Sequence, residues 1–158
     1  MTERSQKPAV RHVPQPDVTV LDATTGRVIW SHDTLAEENA DNVMWGKAAS
    51  PIVVDRWIVV SVGGTRDNSL VAYDLETGDR AWSGGSRVSA YATPVLTNLA
   101  GVRQIVVVNQ DFVTGHDAQD GAVLWEYPWP GNSGSNASAS QPMPLGGDRL
   151  LLTKGYSV

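Results

Sequence analysis

The residues of this chain best equipped for chemistry are its aspartates, histidines and tryptophans, and the aspartates recur in a pattern. Asp22, Asp74 and Asp117 are each followed by a glycine four positions on (Gly26, Gly78, Gly121) and a tryptophan eight positions on (Trp30, Trp82, Trp125). Carboxylates could ligate a cation or move a proton, and indoles could stack on a flat cofactor. Repetition argues for another use: catalysis needs one asymmetric constellation, whereas the same triplet three times over is what a structural repeat produces. At the end of a strand, Asp can accept hydrogen bonds from the amides of the following turn, and Gly can take the positive φ that leads into the next strand. Trp then projects between neighbouring sheets, where its area anchors packing and its indole N–H needs an acceptor. These nine residues are assigned to a structural motif. No residue is assigned to catalysis or to a metal.

The remaining reactive groups offer little. With no cysteine there is no disulfide, thiolate metal site or Cys nucleophile. His12, His32 and His116 lack metal-ligand spacing and are expected at the surface or in turns, and no Ser-His-Asp arrangement follows from spacing. Asn136-Ala137-Ser138 is a short glycosylation sequon of low specificity. The Gly/Ser/Asn/Ala stretch from Gly131 to Ser140 reads as a loop, because no Gly-Lys-Ser/Thr follows to make a phosphate cradle. Twelve basic against 17 acidic residues give a formal charge of -5 without a basic cluster, which disfavours nucleic acid as a partner. Residues 1–16 are polar, hold Pro8, Pro14 and Pro16, and are read as a flexible segment that is neither signal peptide nor membrane anchor.

The elements that position the repeated triplets are short strands. Apolar runs are brief, rich in Val and Ile, and bounded by Gly, Asn, Asp and Pro. A second marker recurs between the triplets: Ala49-Ser50-Pro51, Ala92-Thr93-Pro94 and, more loosely, Ser140-Gln141-Pro142. Pro51 to Pro94 and Asp74 to Asp117 are both 43 positions apart, so the unit is about that long. Strands A to D of one unit are placed at Ser50–Val54, Trp57–Val62, Ser69–Asp74 and Asp79–Ser83. The next unit has them at Ala92–Thr97, Arg103–Asn109, Phe112–Asp117 and Ala122–Tyr127. The first unit contributes only C and D (Val18 to Trp30), and the last only A (Gln141–Leu145) and B (Arg149–Thr153). The B strands are apolar almost throughout, as in Trp57-Ile58-Val59-Val60, which requires cover on both faces of the sheet. Four-stranded sheets of this length stacked about an axis are propeller blades. The fold class is all-β, a partial β-propeller of two complete antiparallel blades and two half blades, with units at 17–30, 50–83, 92–127 and 140–158.

The run Ala72-x-Asp74-x-x-Thr77-Gly78-x-x-x-Trp82 resembles the tryptophan-docking motif of pyrroloquinoline quinone (PQQ)-like propellers. The segment from Ser50 to Gly64 is similar to their A and B strands. The resemblance extends from about Asp17 to the C-terminus, with Val20 and Gly115 in place of the motif's Ala and Asp120 in place of its Thr. It takes in quinoprotein alcohol dehydrogenase-like enzymes and BamB-like proteins, and implies a periplasmic or cell-envelope setting. Because such propellers close with seven or eight blades, the chain is expected to be a truncated gene product or to assemble with further copies.

Two functions follow as expectations. One is a non-catalytic scaffold that contacts a protein, peptide or saccharide and has no cofactor. The other is a fragment of a PQQ-dependent dehydrogenase, which the resemblance would equip with PQQ, a Ca²⁺ held by a carboxylate and an amide, and an Asp base. No residue is matched to those roles. In propellers the D-to-A and B-to-C connections share one face, and the longest loops here fall on it, so Trp45, Arg87, Tyr91, Trp129 and Asn132 are the candidate loop-face contacts.

Overall fold

The computed structural model describes residues 17–130 and 138–154. Strands β1 (Val18–Leu21) and β2 (Val28–His32) pair as a hairpin, and a single helical turn, α1 (Thr34–Glu37), follows in the next connection. Then come β3 (Ile52–Val54), β4 (Trp57–Ser61), β5 (Leu70–Asp74) and β6 (Arg80–Gly84), hydrogen-bonded in that order as one antiparallel sheet. A second sheet of the same order holds β7 (Val95–Leu99), β8 (Val102–Val108), β9 (Phe112–Asp117) and β10 (Val123–Pro128). The hairpin β11 (Met143–Gly146) and β12 (Arg149–Leu151) is last. The architecture is the all-β partial propeller expected: half blade, blade, blade, half blade.

Departures from the expected boundaries have local causes. The A strands begin later than their apolar sequence suggests, at Ile52 and Val95, because Pro51 and Pro94 supply no N–H to a ladder. Ser50 and Thr93, just before them, bond to each other across the blades (Ser50 N to Thr93 Oγ1, 2.9 Å). Helix α1 was not foreseen. It forms because Asp33 caps it, accepting from Ala36 N at 3.1 Å, and Asp17 accepts from the Thr34 amide and hydroxyl at 2.8 and 2.7 Å.

The repeated triplets build the turns between C and D strands. Asp22 Oδ1 accepts from Thr24 N and Thr25 N, Asp74 Oδ1 from Glu76 N and Thr77 N, and Asp117 Oδ1 from Gln119 N, all at 2.7–3.1 Å. Gly26, Gly78 and Gly121 sit at φ of 72°, 79° and 79°, a conformation that strains any residue with a Cβ.

The third member of the triplet reaches the next blade. Trp30 lies on Gly78, so close that a Cβ there would fall 2.8 Å from the indole, and its Nε1 donates to Leu75 O at 3.0 Å. Trp82 lies on Gly121 in the same way, where a Cβ would fall 2.5 Å from the ring. Trp30 and Trp82 thus each dock on the glycine of the following unit, whereas Trp125 folds over Gly115 of its own sheet. The blade interfaces are otherwise apolar: Val18, Trp30, Ile58, Val60, Val71 and Tyr73 fill one, and Val54, Val59, Leu70, Ala72, Ile105 and Val107 the other.

His116 corrects a sequence expectation. It is fully buried in β9, with Nε2 2.8 Å from Thr114 Oγ1 and Nδ1 2.9 Å from Gly121 O, and it has room only because Gly85 carries no side chain. Burial holds its pKa below the ordinary imidazole value. His32 is half-buried, stacked on Tyr73 and bonded to Glu37 and to Gly78 O. His12 lies outside the described residues.

Candidate functional site on the loop face

The connections entering β3, β7 and β11 converge at one end of the blades. Besides the Ser50–Thr93 bond, Tyr91 N donates to Ser138 O at 3.0 Å, so three successive units are tied where their A strands begin. On this rim the candidates Trp45 and Tyr91 meet. Their rings are 5.7 Å apart and inclined by 37°, and Trp45 N lies 3.2 Å from the Tyr91 hydroxyl that accepts from it. Trp45 is 60% and its neighbour Met44 71% exposed, so the pair offers apolar surface to solvent instead of filling the core.

Lys47 anchors this rim from below. Its ammonium donates to Val62 O and, at 2.6 Å, to Ser89 Oγ. Desolvation pulls its pKa down from 10.5 to about 8, opposed by the charge of Asp17. With its protons committed to the protein, the amine clamps the two loops and is not presented as a nucleophile. Lys47 lines a cavity of about 650 Å³, together with Asp17, Asp33, Asp41, Val60 and Ser61.

The other candidates are placed elsewhere. Arg87 spends its guanidinium on Glu126, in a two-pronged pair at 2.6 and 3.0 Å, and lies over the Phe112 ring at 3.4 Å from its centroid. It fastens the loop leaving β6 to the next blade, and the pair holds Glu126 below the usual carboxylate range. Trp129 is half-buried against the cluster of Ala92, Val106, Val108 and Val113, with Lys154 Nζ 2.9 Å from its carbonyl. Asn132 lies outside the described residues. Lys47 and the Asp17–Asp33–Asp41 cavity wall were missed in the sequence. The only signal was a lone lysine in an otherwise apolar approach to strand A.

Among the described residues no three His, Cys, Asp or Glu side chains converge as a metal site would require. None of the described helices is long and apolar enough to cross a membrane.

The family profile described as outer membrane protein assembly factor BamB matches residues 9–156. The chain belongs to this family of PQQ-like repeat propellers. The BamB-type chain is also 32% identical over 129 residues to the quinohemoprotein alcohol dehydrogenase ADH-IIG of Pseudomonas putida, an alignment taking in 73% of this chain and 17% of that protein. The solved structure of that dehydrogenase, from strain HK5, is similar at a TM-score of 0.51 and 26% identity, over 70% of this chain and 17% of the other. The chain therefore spans only 17% of the dehydrogenase's length.

Proposed function

We propose that this chain is a binding module of the BamB type, without catalysis, whose loop face holds a protein or peptide segment. The exposed Trp45–Tyr91 pair, with Met44 beside it, carries the reading. Rigid aromatics and an adaptable thioether on a surface fixed by Lys47 and the loop-to-loop bonds are what a peptide anchor docks against. The carboxylates of Asp17, Asp33 and Asp41, on the cavity that Lys47 also lines, favour a ligand carrying a positive charge. The family's name attaches to an assembly factor, which agrees with a protein ligand and an envelope setting.

The test is a screen of immobilised peptides, with a glycan array alongside, followed by titration of the best binder against Trp45→Ala and Tyr91→Ala. Loss of a central aromatic anchor costs about 2 kcal/mol, roughly a thirtyfold weakening. Binding unchanged in both variants rejects the site, and binding confined to glycans rejects the ligand class.

A second reading rests on the identity with ADH-IIG: that the chain is a segment of a PQQ-dependent dehydrogenase. Addition of PQQ and Ca²⁺ separates the two, since saturable quinone absorbance together with dye reduction would defeat the binding-module reading.

A further inference from the structure

The exposed aromatic pair stands on two segments that are bonded to each other twice. Trp45-Gly46-Lys47 lies in the connection from β2 to β3, and Ser89-Ala90-Tyr91 in the connection from β6 to β7. Trp45 N donates to the Tyr91 hydroxyl at 3.2 Å, and Lys47 Nζ donates to Ser89 Oγ at 2.6 Å. The two bonds run in antiparallel order, Trp45 opposite Tyr91 and Lys47 opposite Ser89, and they close a ring that contains Gly46 and Ala90. Turning one segment about either bond breaks the other. The 37° inclination of the two aromatic rings is therefore fixed two residues away from them, at Lys47.

The seat beneath this ring is shaped for it. Val62, just after β4, gives its carbonyl to the Lys47 ammonium, and Ser61 O lies 3.5 Å away. Gly63 stands under Ser89: a Cβ there would fall 2.3 Å from Ser89 N and 2.4 Å from its Oγ, so glycine is what lets the serine come down to the ammonium. Ser89 and Ala90 are buried while Trp45 is exposed, so the ring is fixed at its lysine end and presented at its aromatic end. The charges around the amine come from the segment before β1 and the loop after β2. Asp17 favours the ammonium, and Asp33 and Asp41 line the same cavity. The end of β4 contributes the two carbonyls, and the loop before β7 the hydroxyls of Ser89 and, across the ring, Tyr91.

We propose that Lys47 is the positioning residue of the Trp45–Tyr91 pair, and that its proton holds the two rings in place, so that the pair relaxes when the amine is neutral. The consequence for binding rests on the reading of that pair as a peptide anchor. An ammonium carries a donor for each of the surrounding oxygens, whereas the neutral amine has one donor fewer and turns a lone pair on an acceptor. With the amine brought down to about 8, the ammonium population falls about tenfold between pH 7 and pH 9.

The test labels the protein with 5-fluorotryptophan and follows its ¹⁹F signals, the one from Trp45 being assigned by its loss in Trp45→Phe. That signal should move between pH 7 and pH 9 with a midpoint of about 8. In Lys47→Arg, which stays charged throughout this range, it should stand still. In Lys47→Met it should lie at pH 7 where the unsubstituted chain has it at pH 9. Ser89→Ala removes only the hydroxyl and should also displace the signal at pH 7, which keeps the test open should Lys47→Met fail to fold. Binding is read with an N-acetylated peptide from the screen whose only ionisable side chains are Arg, Asp or Glu, so that nothing in it titrates in this range. Its affinity should fall about tenfold from pH 7 to pH 9. A Trp45 signal that stands still in the unsubstituted chain, or moves as far in Lys47→Arg, overturns the proposal. A signal that moves as expected while the peptide binds equally at both pH values overturns instead the reading of the pair as the anchor.

Discussion

If each indole is seated on the glycine of the next blade, that glycine is needed for two separable reasons, and paired substitutions can separate them. Gly121→Ala forces an alanine into φ 79° and drives its Cβ to 2.5 Å from Trp82 Cε3 and 2.7 Å from Cζ3. Gly101→Ala, in the turn between β7 and β8, meets the same φ of 79° with nothing within 4 Å among the described residues. The left-handed backbone costs about 1–2 kcal/mol at either position. Only Gly121→Ala also has to push a ring out of a packed interface, an overpacking cost of about 1–3 kcal/mol. The difference between the two variants, about 1–3 kcal/mol, is therefore the docking contribution freed from the backbone term. Urea unfolding followed by far-UV circular dichroism measures it, with near-UV ellipticity reporting the tryptophans. If Gly121→Ala is within about 0.5 kcal/mol of Gly101→Ala, the indole is not seated there and the account of blade packing fails.

Other expected outcomes follow from single side chains. Trp82→Ala should destabilise by about 3–5 kcal/mol, and a loss below about 1 kcal/mol would reject its docking role. Trp30→Phe should cost about 1 kcal/mol more than Trp82→Phe in the same titration, because Trp30 loses a bond to Leu75 O while the buried Trp82 Nε1 has no partner among the described residues. Lys47 has its pKa lowered from 10.5 to about 8 in the folded chain, so the unfolded chain holds the proton more tightly, and stability should rise as pH climbs from 8 towards 10.5. Lys47→Met should flatten that rise, and an unchanged pH profile would show that the ammonium is not desolvated. His116 is likewise depressed, so stability should be insensitive to it above its ordinary value of 6.5 and fall below that pH as the unfolded chain takes up the proton. His116→Gln should lessen that acid sensitivity in chemical unfolding at a series of pH values.

The Asp/Gly/Trp spacing sufficed to place the C–D hairpins, because a turn that needs a carboxylate and a positive φ leaves local traces. The unbroken apolar run of β4 likewise announced a sheet covered on both faces, and its residues from Ile58 to Ser61 are all buried. What escaped were facts that depend on which blade stands next to which. His116 reads as a turn residue beside Asp117, and only the missing side chain of Gly85 makes its burial possible. Arg87 sits on a long loop, as binding residues do, yet its partner Glu126 comes from the sheet beyond. Trp45 and Tyr91 are brought together across 46 positions, which no local pattern encodes. The short helix α1 needed Asp17 from the preceding half blade to hold its first amide.

Because Trp30 and Trp82 both reach forward to the glycine of the next blade, the contact has a polarity and spans a single step. Duplicating a gene segment that runs from one such aspartate to the next would hand the new copy both a seat to offer and a ring to place, with no distant contact to repair. Lineages sharing this device can therefore lengthen or shorten by whole sectors while every junction keeps its chemistry, and the circumference becomes the trait most open to drift.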